Sequence, residues 1–202
     1  MFFIILSLDQ NAVSLSEHVN GCRVVQAVIE CFGDELDVMK LCAGGQHLKL
    51  ATTQYGNYVV QCIIKRGEWY SNLRRIELFR DRFISDVFTL RHLQTFSVKK
   101  SGSHVIESCI RAASSEQIEL LTHRVCSGRG HLLSKMVWDE FGNYVLRTLF
   151  NRCNDELKAL VSDTVNNKVM RLDSKYGSAF DDKWEFMRNV YWFRVKSQRH
   201  HY

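Results

Sequence analysis

Proline is absent from the 202 residues, glycine occurs only 11 times, and no Gly/Ser-rich stretch or long run of one charge interrupts the chain. Flexible linkers and disordered segments depend on such stretches, so neither is a main feature of this sequence. The chain is 46% hydrophobic, which is enough to bury a core. These observations predict one continuous structured unit.

The sequence also lacks the cysteine pairs of disulfide scaffolds and zinc sites. Its seven cysteines include no CxxC pair, and they stand at positions 22, 31, 42, 62, 109, 126 and 153. Most lie within apolar runs, which predicts reduced, buried thiols of an intracellular, cytoplasmic protein. His123 and Cys126 have an HxxC spacing, but no second pair at zinc-finger spacing accompanies them and a helix would bury Cys126. We therefore predict no metal site.

Long hydrophobic runs are missing as well. The N-terminal run MFFIILSL is too short to span a bilayer, has no basic residues before it and is not followed by an A-x-A-like site. We interpret it as a helix that covers the first repeat described below or mediates association, with a cleaved signal as the alternative. No membrane partner is expected.

No P-loop, GxSxG, HExxH or paired-glycine nucleotide motif occurs. The sequence therefore predicts a protein that is not an enzyme, with no catalytic residues, no cofactor and no small-molecule substrate. The net charge of +5 suits a polyanionic partner but also fits many ordinary soluble proteins.

What the sequence does contain is an internal repeat. Four related segments, NGCRVVQAVI, YGNYVVQCII, SGSHVIESCI and FGNYVLRTLF, occupy residues 20–29, 55–64, 101–110 and 141–150. Each contains one repeat glycine, and these glycines are Gly21, Gly56, Gly102 and Gly142. Their spacings of 35, 46 and 40 residues lie in the range of solenoid units built from two or three helices.

Counted from each repeat glycine, positions +3, +4, +7 and +8 are apolar in nearly every copy. They are Val24, Val25, Val28 and Ile29; Val59, Val60, Ile63 and Ile64; Val105, Ile106, Cys109 and Ile110; and Val145, Leu146, Leu149 and Phe150. This spacing has the period of a helix rather than the alternation of a strand, so each segment is predicted to be a helix that begins near its glycine.

The opposite face carries recurring polar chemistry. Position +6 is small or modest in size, whereas positions +1, +2 and +5 hold a small polar group or thiol, a planar side chain and a long hydrogen-bonding side chain. These triplets are Cys22, Arg23 and Gln26; Asn57, Tyr58 and Gln61; Ser103, His104 and Glu107; and Asn143, Tyr144 and Arg147. Positions +1 and +5 are neighbours on a helix, so the pair can contact the edge of a nucleobase while the planar group stacks on its face.

Amphipathic stretches between the segments predict companion helices that cover the apolar stripes. They run approximately over residues 35–41, 72–88, 115–125 and 155–169. Segment 67–76, which includes Trp69, Arg74 and Arg75, is predicted to be a surface extension whose side chains pack or touch RNA.

The four segments resemble the base-reading helices of the Pumilio/PUF family of RNA-binding proteins. The order of the triplets is similar to repeats five to eight of an eight-repeat domain, and the resemblance extends from about Asn11 to Gly177, including RLDSKYG at 171–177. It implies an all-α fold, a right-handed α-solenoid of Pumilio-type repeats. We divide the chain into repeats near 11–45, 46–90, 91–131 and 132–170, with a capping repeat from 171 that ends a truncated domain at residue 182. Residues 183–202 are then a capping helix and a basic tail.

The resemblance implies a role for each triplet. Cys22 and Gln26 would read adenine with Arg23 stacking, Asn57 and Gln61 would read uracil with Tyr58 stacking, and Ser103 and Glu107 would read guanine with His104 stacking. In the fourth triplet, Arg147 stands where glutamine would complete a uracil reader, so Asn143, Tyr144 and Arg147 would read U or C. Since the family binds RNA antiparallel to its repeats, the implied site is 5′-(U/C)GUA-3′.

The resemblance also implies binding to messenger RNA in its 3′ untranslated region, with translation regulation and repression carried out by protein co-regulators on the outer face. The alternative is a helical protein-interaction scaffold of the HEAT or armadillo type with reduced or lost RNA binding, since such scaffolds share the apolar stripes. The recurring triplet favours the RNA-binding hypothesis.

Overall fold

A computed structural model of the chain describes residues 2–32, 45–69, 74–127, 131–165 and 167. These residues form eleven α-helices. Their bounds are Phe2–Glu17 (α1), Gly21–Phe32 (α2), Gln46–Leu50 (α3), Gly56–Trp69 (α4), Arg74–Val87 (α5), Leu90–Phe96 (α6), Lys100–Ala112 (α7), Ser115–Cys126 (α8), His131–Trp138 (α9), Gly142–Arg152 (α10) and Asp155–Thr164 (α11).

The four helices that begin at or near the repeat glycines, α2, α4, α7 and α10, are called the glycine helices below. They contact one another in that order and form a continuous row. A helix precedes each of them, namely α1, α3, α6 and α9, and α5, α8 and α11 follow the last three. The prediction of an all-α repeat array is confirmed, and three of its units contain three helices each.

The apolar stripes of the glycine helices form one core, as predicted, with one exception. Every stripe residue of α4, α7 and α10 is buried, whereas Val24 of α2 is 49% exposed and Val28 is half-buried. The prediction was wrong for Val24, which lies on α2 at one end of the row of glycine helices. Among the described helices, α2 has another glycine helix on one side only.

The starts of the glycine helices depend on a residue three positions before the glycine. His18 Nδ1, Thr53 Oγ1 and Asp139 Oδ1 accept hydrogen bonds from the backbone N–H of Gly21, Gly56 and Gly142, at 3.1, 3.0 and 2.8 Å. These acceptors satisfy N–H groups that a helix start leaves without intrahelical partners. In the third repeat this position is Lys99, which has no acceptor, and α7 begins at Lys100 instead of at its glycine.

The companion helices agree with the predicted stretches where the structure describes them. The predicted 72–88, 115–125 and 155–169 correspond to Arg74–Val87, Ser115–Cys126 and Asp155–Thr164. Ser114 and Gln117 form a reciprocal capping box at the start of α8, and Asn154 Oδ1 accepts from Leu157 N at the start of α11. Such caps stabilise a helix by about 1 kcal/mol each.

Three short helices, α3, α6 and α9, were not predicted. They contain 5, 7 and 8 residues, too few for a helical period to stand out from the sequence. In segment 67–76, residues 67–69 complete α4 and residues 74–76 begin α5. The side chains of Trp69, Arg74 and Arg75 lie outside the described residues, as do the predicted helix at 35–41, the capping repeat from 171 and the tail.

The six cysteines in the described part of the chain are free thiols, in agreement with the prediction of reduced cysteines. Cys22, Cys109, Cys126 and Cys153 are buried. The prediction of burial was wrong for Cys31, which is exposed near the end of α2, and only partly correct for Cys62, which is half-buried. Within the described residues, no helix is long and apolar enough to cross a bilayer.

Candidate nucleic-acid interface

The planar residues at position +2 are exposed in all four glycine helices. These residues, called the stacking residues below, are Arg23, Tyr58, His104 and Tyr144. Tyr58 and Tyr144 are 45% and 50% exposed, a large fraction for side chains that gain free energy from burial. The guanidinium carbon of Arg23 lies 5.7 Å from the centre of the Tyr58 ring. The stacking residues of the first two glycine helices are therefore close enough to act on the same ligand.

The residues at position +1 are placed more deeply than the sequence suggested. Cys22, Asn57 and Ser103 are 1%, 2% and 2% exposed, and Asn143 is half-buried. The Cys22 thiol donates to the Val19 carbonyl at 3.3 Å and the Ser103 hydroxyl donates to the Lys100 carbonyl at 2.8 Å. These side chains form the floor of the interface.

The two asparagines at position +1 repeat one geometry. Asn57 Nδ2 donates to the carbonyls of Thr53 and Gln54, at 2.8 and 2.9 Å, and Asn143 Nδ2 donates to those of Asp139 and Glu140, at 2.9 and 3.2 Å. Both hydrogens of each amide are committed to the preceding turn. The side-chain oxygen is therefore the atom with which each asparagine can contact another group.

The residues at position +5 lie beside those at +1, as predicted from their spacing. Gln61 Nε2 donates to Asn57 Oδ1 at 2.9 Å, and Gln26 Nε2 donates to the main-chain carbonyl of Cys22 at 2.9 Å. Arg147 is exposed. The structure thus joins the two side chains of the predicted pair Asn57 and Gln61, whereas Gln26 contacts the main chain of Cys22.

Glu107 is the most enclosed carboxylate of the interface, with a side chain only 13% exposed. Its Oε2 accepts hydrogen bonds from Arg111 Nη2 at 2.9 Å and from Thr148 Oγ1 at 3.0 Å. Its Oε1 lies 3.9 Å from His104 Nδ1. A carboxylate held in this way presents only acceptor atoms, so it suits a ligand edge that carries N–H donors.

A cleft of about 280 Å³ lies between α7 and α10 beside this carboxylate. It is lined by Glu107, Arg111, Tyr144, Arg147, Thr148, Asn151 and Arg152. Of these, Arg111, Thr148, Asn151 and Arg152 were not predicted as interface residues. The spacing of Glu107 and Arg111, four positions apart on a helix, was a signal for one of them, whereas no sequence pattern indicates the contact between α7 and α10.

Burial makes three thiols outside the predicted triplets less acidic. Burial, reinforced by the carboxylate of Glu30, raises the pKa of Cys62 to about 11. Burial likewise raises the pKa of Cys109 and of Cys153. Because a thiolate is the form that attacks and binds metals, these thiols are unsuited to nucleophilic or metal chemistry at neutral pH.

A family model described as the Pumilio-family RNA binding repeat matches residues 11–43, 46–68, 92–126 and 139–163. These four segments cover more than half of the chain, and each contains most or all of one glycine helix.

Curated relatives agree with this match. Fem-3 mRNA-binding factor 1 of Caenorhabditis elegans is 26% identical over 159 residues, which cover 67% of this chain and 25% of that protein. Pumilio domain-containing protein 5 of the same organism is 24% identical over 195 residues, which cover 87% of this chain and 34% of that protein. The chain therefore spans about a quarter to a third of the length of these relatives.

Two solved structures have the same architecture. The Puf3 RNA binding domain bound to the Cox17 RNA 3′ UTR recognition sequence site B matches with a TM-score of 0.76 and 25% identity, over 93% of this chain and 55% of that domain. PUF-8 in complex with PBE-RNA matches with a TM-score of 0.68 and 26% identity, over 91% of this chain and 53% of that one. With four glycine helices in the same order as the four matched segments, the chain belongs to the Pumilio family of RNA-binding repeat proteins.

Proposed function

We propose that this chain binds single-stranded RNA and selects its sequence through the four triplets of the glycine helices. The observation that carries the proposal is the row of exposed planar side chains, Arg23, Tyr58, His104 and Tyr144, in helices that contact one another in order. Planar side chains at the spacing of stacked repeats provide faces for successive bases. The names of the relatives, which include an mRNA-binding factor and RNA-bound domains, support this chemistry.

The proposed site is 5′-(U/C)GUA-3′, with the RNA antiparallel to the repeats. Glu107 accepts from the N1–H and N2–H of guanine at the second base, because a carboxylate offers acceptors to both donors. Gln61 and the side-chain oxygen of Asn57 contact uracil at the third base. At the fourth base, Gln26 makes the hydrogen bonds to adenine, since Cys22 is too deeply buried to offer more than a contact surface.

The first base is a pyrimidine, U or C. Arg147 offers only donors, which suits the acceptor atoms of either pyrimidine edge, while Tyr144 stacks and Asn143 contributes its oxygen. By the same resemblance, we propose that the bound RNA is messenger RNA, contacted in its 3′ untranslated region, and that associated proteins carry out repression in the cytoplasm.

Selection from a random RNA pool tests the site, followed by titration of the selected RNA at several salt concentrations. Phosphate contacts give a salt-dependent term, whereas contacts to bases do not, so the titration separates the two contributions. Enrichment of (U/C)GUA supports the proposal, and a pool without an enriched motif contradicts it.

Tyr58→Ala and Tyr144→Ala distinguish RNA binding from a scaffold that binds only proteins. Each loss of a stacking face is expected to weaken RNA binding by about 1–3 kcal/mol while the helices remain folded. Leu120→Ala, at an exposed position on α8, is the matched control and should leave RNA affinity unchanged. If all three variants bind RNA like the unmodified chain, the tyrosines are not part of an RNA site.

A further inference from the structure

At two boundaries between repeats, a hydrogen bond of the same kind joins side chains of adjacent glycine helices, and the sequence did not predict either bond. The residue at position +6 of one glycine helix, called a boundary residue below, donates to the residue at +5 of the preceding glycine helix. Ser108 Oγ lies 3.2 Å from Gln61 Oε1, and Thr148 Oγ1 lies 3.0 Å from Glu107 Oε2. Both acceptors belong to the proposed base-reading set, and neither donor does.

At the first of these boundaries the bonds form a directed chain. Asn57 commits both amide hydrogens to the carbonyls of Thr53 and Gln54, so its oxygen faces Gln61 and accepts from Gln61 Nε2. Gln61 Oε1 therefore faces Ser108, and the Ser108 hydroxyl donates a hydrogen bond to it. An amide has a donor end and an acceptor end, and this chain specifies which end lies where.

At the second boundary the bonds hold a carboxylate. Arg111 and Thr148 both donate to Oε2 of Glu107, from two different glycine helices. The Arg111 side chain is 56% exposed, and a partner with that exposure holds a charge only weakly. Thr148 is half-buried and β-branched, with few alternative rotamers, so its hydroxyl is the better-fixed donor.

The remaining boundary lacks this arrangement. The boundary residue there is Cys62, whose thiol lies 3.8 Å from the main-chain oxygen of Gln26 and 3.8 Å from Glu30 Oε1. The side chain of Gln26 is bonded to the main-chain oxygen of Cys22 in its own helix. Cys62 is thus a boundary residue with no bond to the +5 side chain, and it serves as a control within the same chain.

We propose that Thr148 and Ser108 are positioning residues that set base preference in the repeat before their own: Thr148 orients Glu107 toward guanine and Ser108 orients Gln61 toward uracil. This inference rests on the proposed function, since it assigns selectivity within that RNA site. The preference at the second and third bases is then determined by residues from two adjacent repeats. The preference at the fourth base is determined by residues of the first repeat alone.

The test measures binding of the full chain to single-stranded RNA oligonucleotides that carry 5′-UGUA-3′ with each of the four bases at the second, third and fourth positions in turn. Thr148→Val removes the hydroxyl at nearly constant volume and should reduce the preference for G at the second base by about tenfold, the size expected for a lost bond to a charged group. Ser108→Ala should reduce the preference for U at the third base by about threefold, because its single hydrogen is also shared with the His104 carbonyl at 3.0 Å.

Thr148→Val and Ser108→Ala serve as controls for each other. Thr148→Val should leave the preference at the third base unchanged, and Ser108→Ala should leave the preference at the second base unchanged. Cys62→Ala should alter none of the three preferences. Thr148→Ser and Ser108→Thr keep a hydroxyl at each position and should therefore keep the base preference, an outcome that a purely structural role would not produce. A thermal unfolding midpoint for each variant establishes that it is folded.

Three results would overturn the inference. The base preferences could be unchanged in Thr148→Val and Ser108→Ala, they could be reduced equally at all three bases, or they could also be lost in Thr148→Ser and Ser108→Thr, which keep the hydroxyl. If the unmodified chain itself shows no base preference, the proposed function fails and the inference falls with it. If the unmodified chain selects GUA and the variants select it equally well, only the inference fails.

Discussion

Glu107 is the residue at which the proposed selectivity is sharpest. Guanine presents two N–H donors on one edge, and the two oxygens of a carboxylate can accept both, whereas a carboxamide has one acceptor. Glu107→Gln should therefore reduce discrimination for G at the second base by about 1–3 kcal/mol, the range for one bidentate contact to a base. The measurement is the affinity for oligonucleotides with each base at that position.

The matched control for this prediction is Glu119→Gln, which makes the same change of charge at an exposed position on α8. Glu119→Gln should leave the discrimination for G at the second base unchanged. Since it removes one negative charge, as Glu107→Gln does, it controls for a general change in the attraction of RNA to the protein. Retained preference for G in Glu107→Gln would remove Glu107 from the set of base readers.

The thiols give a second prediction for single residues. Cys31 is exposed, whereas burial and Glu30 raise the pKa of Cys62 from 9.0 to about 11. At pH 8 we expect iodoacetamide to label Cys31 well before Cys62 and the fully buried Cys109, as followed by mass spectrometry of peptides. In urea the difference should disappear; equal rates in the folded protein would contradict the assigned burial.

The raised pKa of Cys62 also has a consequence for stability at alkaline pH. Between about pH 9 and pH 11 the unfolded chain has lost this proton while the folded chain retains it. The contribution of Cys62 to the free energy of unfolding is therefore complete below pH 9 and decreases as the pH rises toward 11.

At the scale of the helix, the repeat glycines are required by close packing. A Cβ added to Gly102 would lie 2.6 Å from the carbonyl oxygen of Phe96 and 2.9 Å from its Cα, at the end of α6. A Cβ at Gly142 would lie 2.8 Å from the Cα of Met136 in α9. Each glycine thus allows a glycine helix to pack directly against the backbone of the short helix before it.

Gly102→Ala is expected to lower the free energy of unfolding by about 1–3 kcal/mol through overpacking, as measured by urea denaturation. The sign is informative, because an alanine in an unobstructed helix would instead stabilise it by up to about 1 kcal/mol. The neighbouring Ser101→Ala in the same helix adds no atoms and should change stability little. Stabilisation by Gly102→Ala would show that α6 and α7 do not approach this closely.

At the scale of the whole molecule, the number of readers limits affinity. If each stacked base contributes about 1–3 kcal/mol, four bases give roughly 4–12 kcal/mol before the cost of ordering the RNA is subtracted. The chain covers only about half of the solved domains that it matches. We therefore expect the four described triplets by themselves to give clear base preference combined with modest affinity.

The helix α1 packs beside α2, the first of the four glycine helices. This helix contacts α2, α3 and α4, and its Ala12 and Ser16 are buried. Residues 2–8 of the MFFIILSL run lie in the first half of α1, and their side chains are outside the described residues. Deleting residues 1–8 should lower solubility or change the oligomeric state, because a repeat end without a cap exposes apolar surface.

Size-exclusion chromatography with light scattering measures both effects of the deletion. The control removes the same number of residues from the other end, 195–202, a basic segment of low hydrophobicity. Unchanged behaviour after removal of residues 1–8 would contradict both the capping and the association interpretations of this run.

The sequence by itself determined the features that a single helix displays. The period of the apolar positions predicted the glycine helices, and the offset of four residues predicted that Asn57 and Gln61 lie side by side, because both follow from helical geometry alone. The tertiary structure decided what depends on two helices at once. The packing of the short helices against Gly102 and Gly142 arises between two helices of one repeat, and the bonds of Ser108 and Thr148 arise where one repeat contacts the next. These two bonds join residues 47 and 41 positions apart, and the sequence of one repeat does not specify which atoms of its neighbour lie within hydrogen-bonding distance.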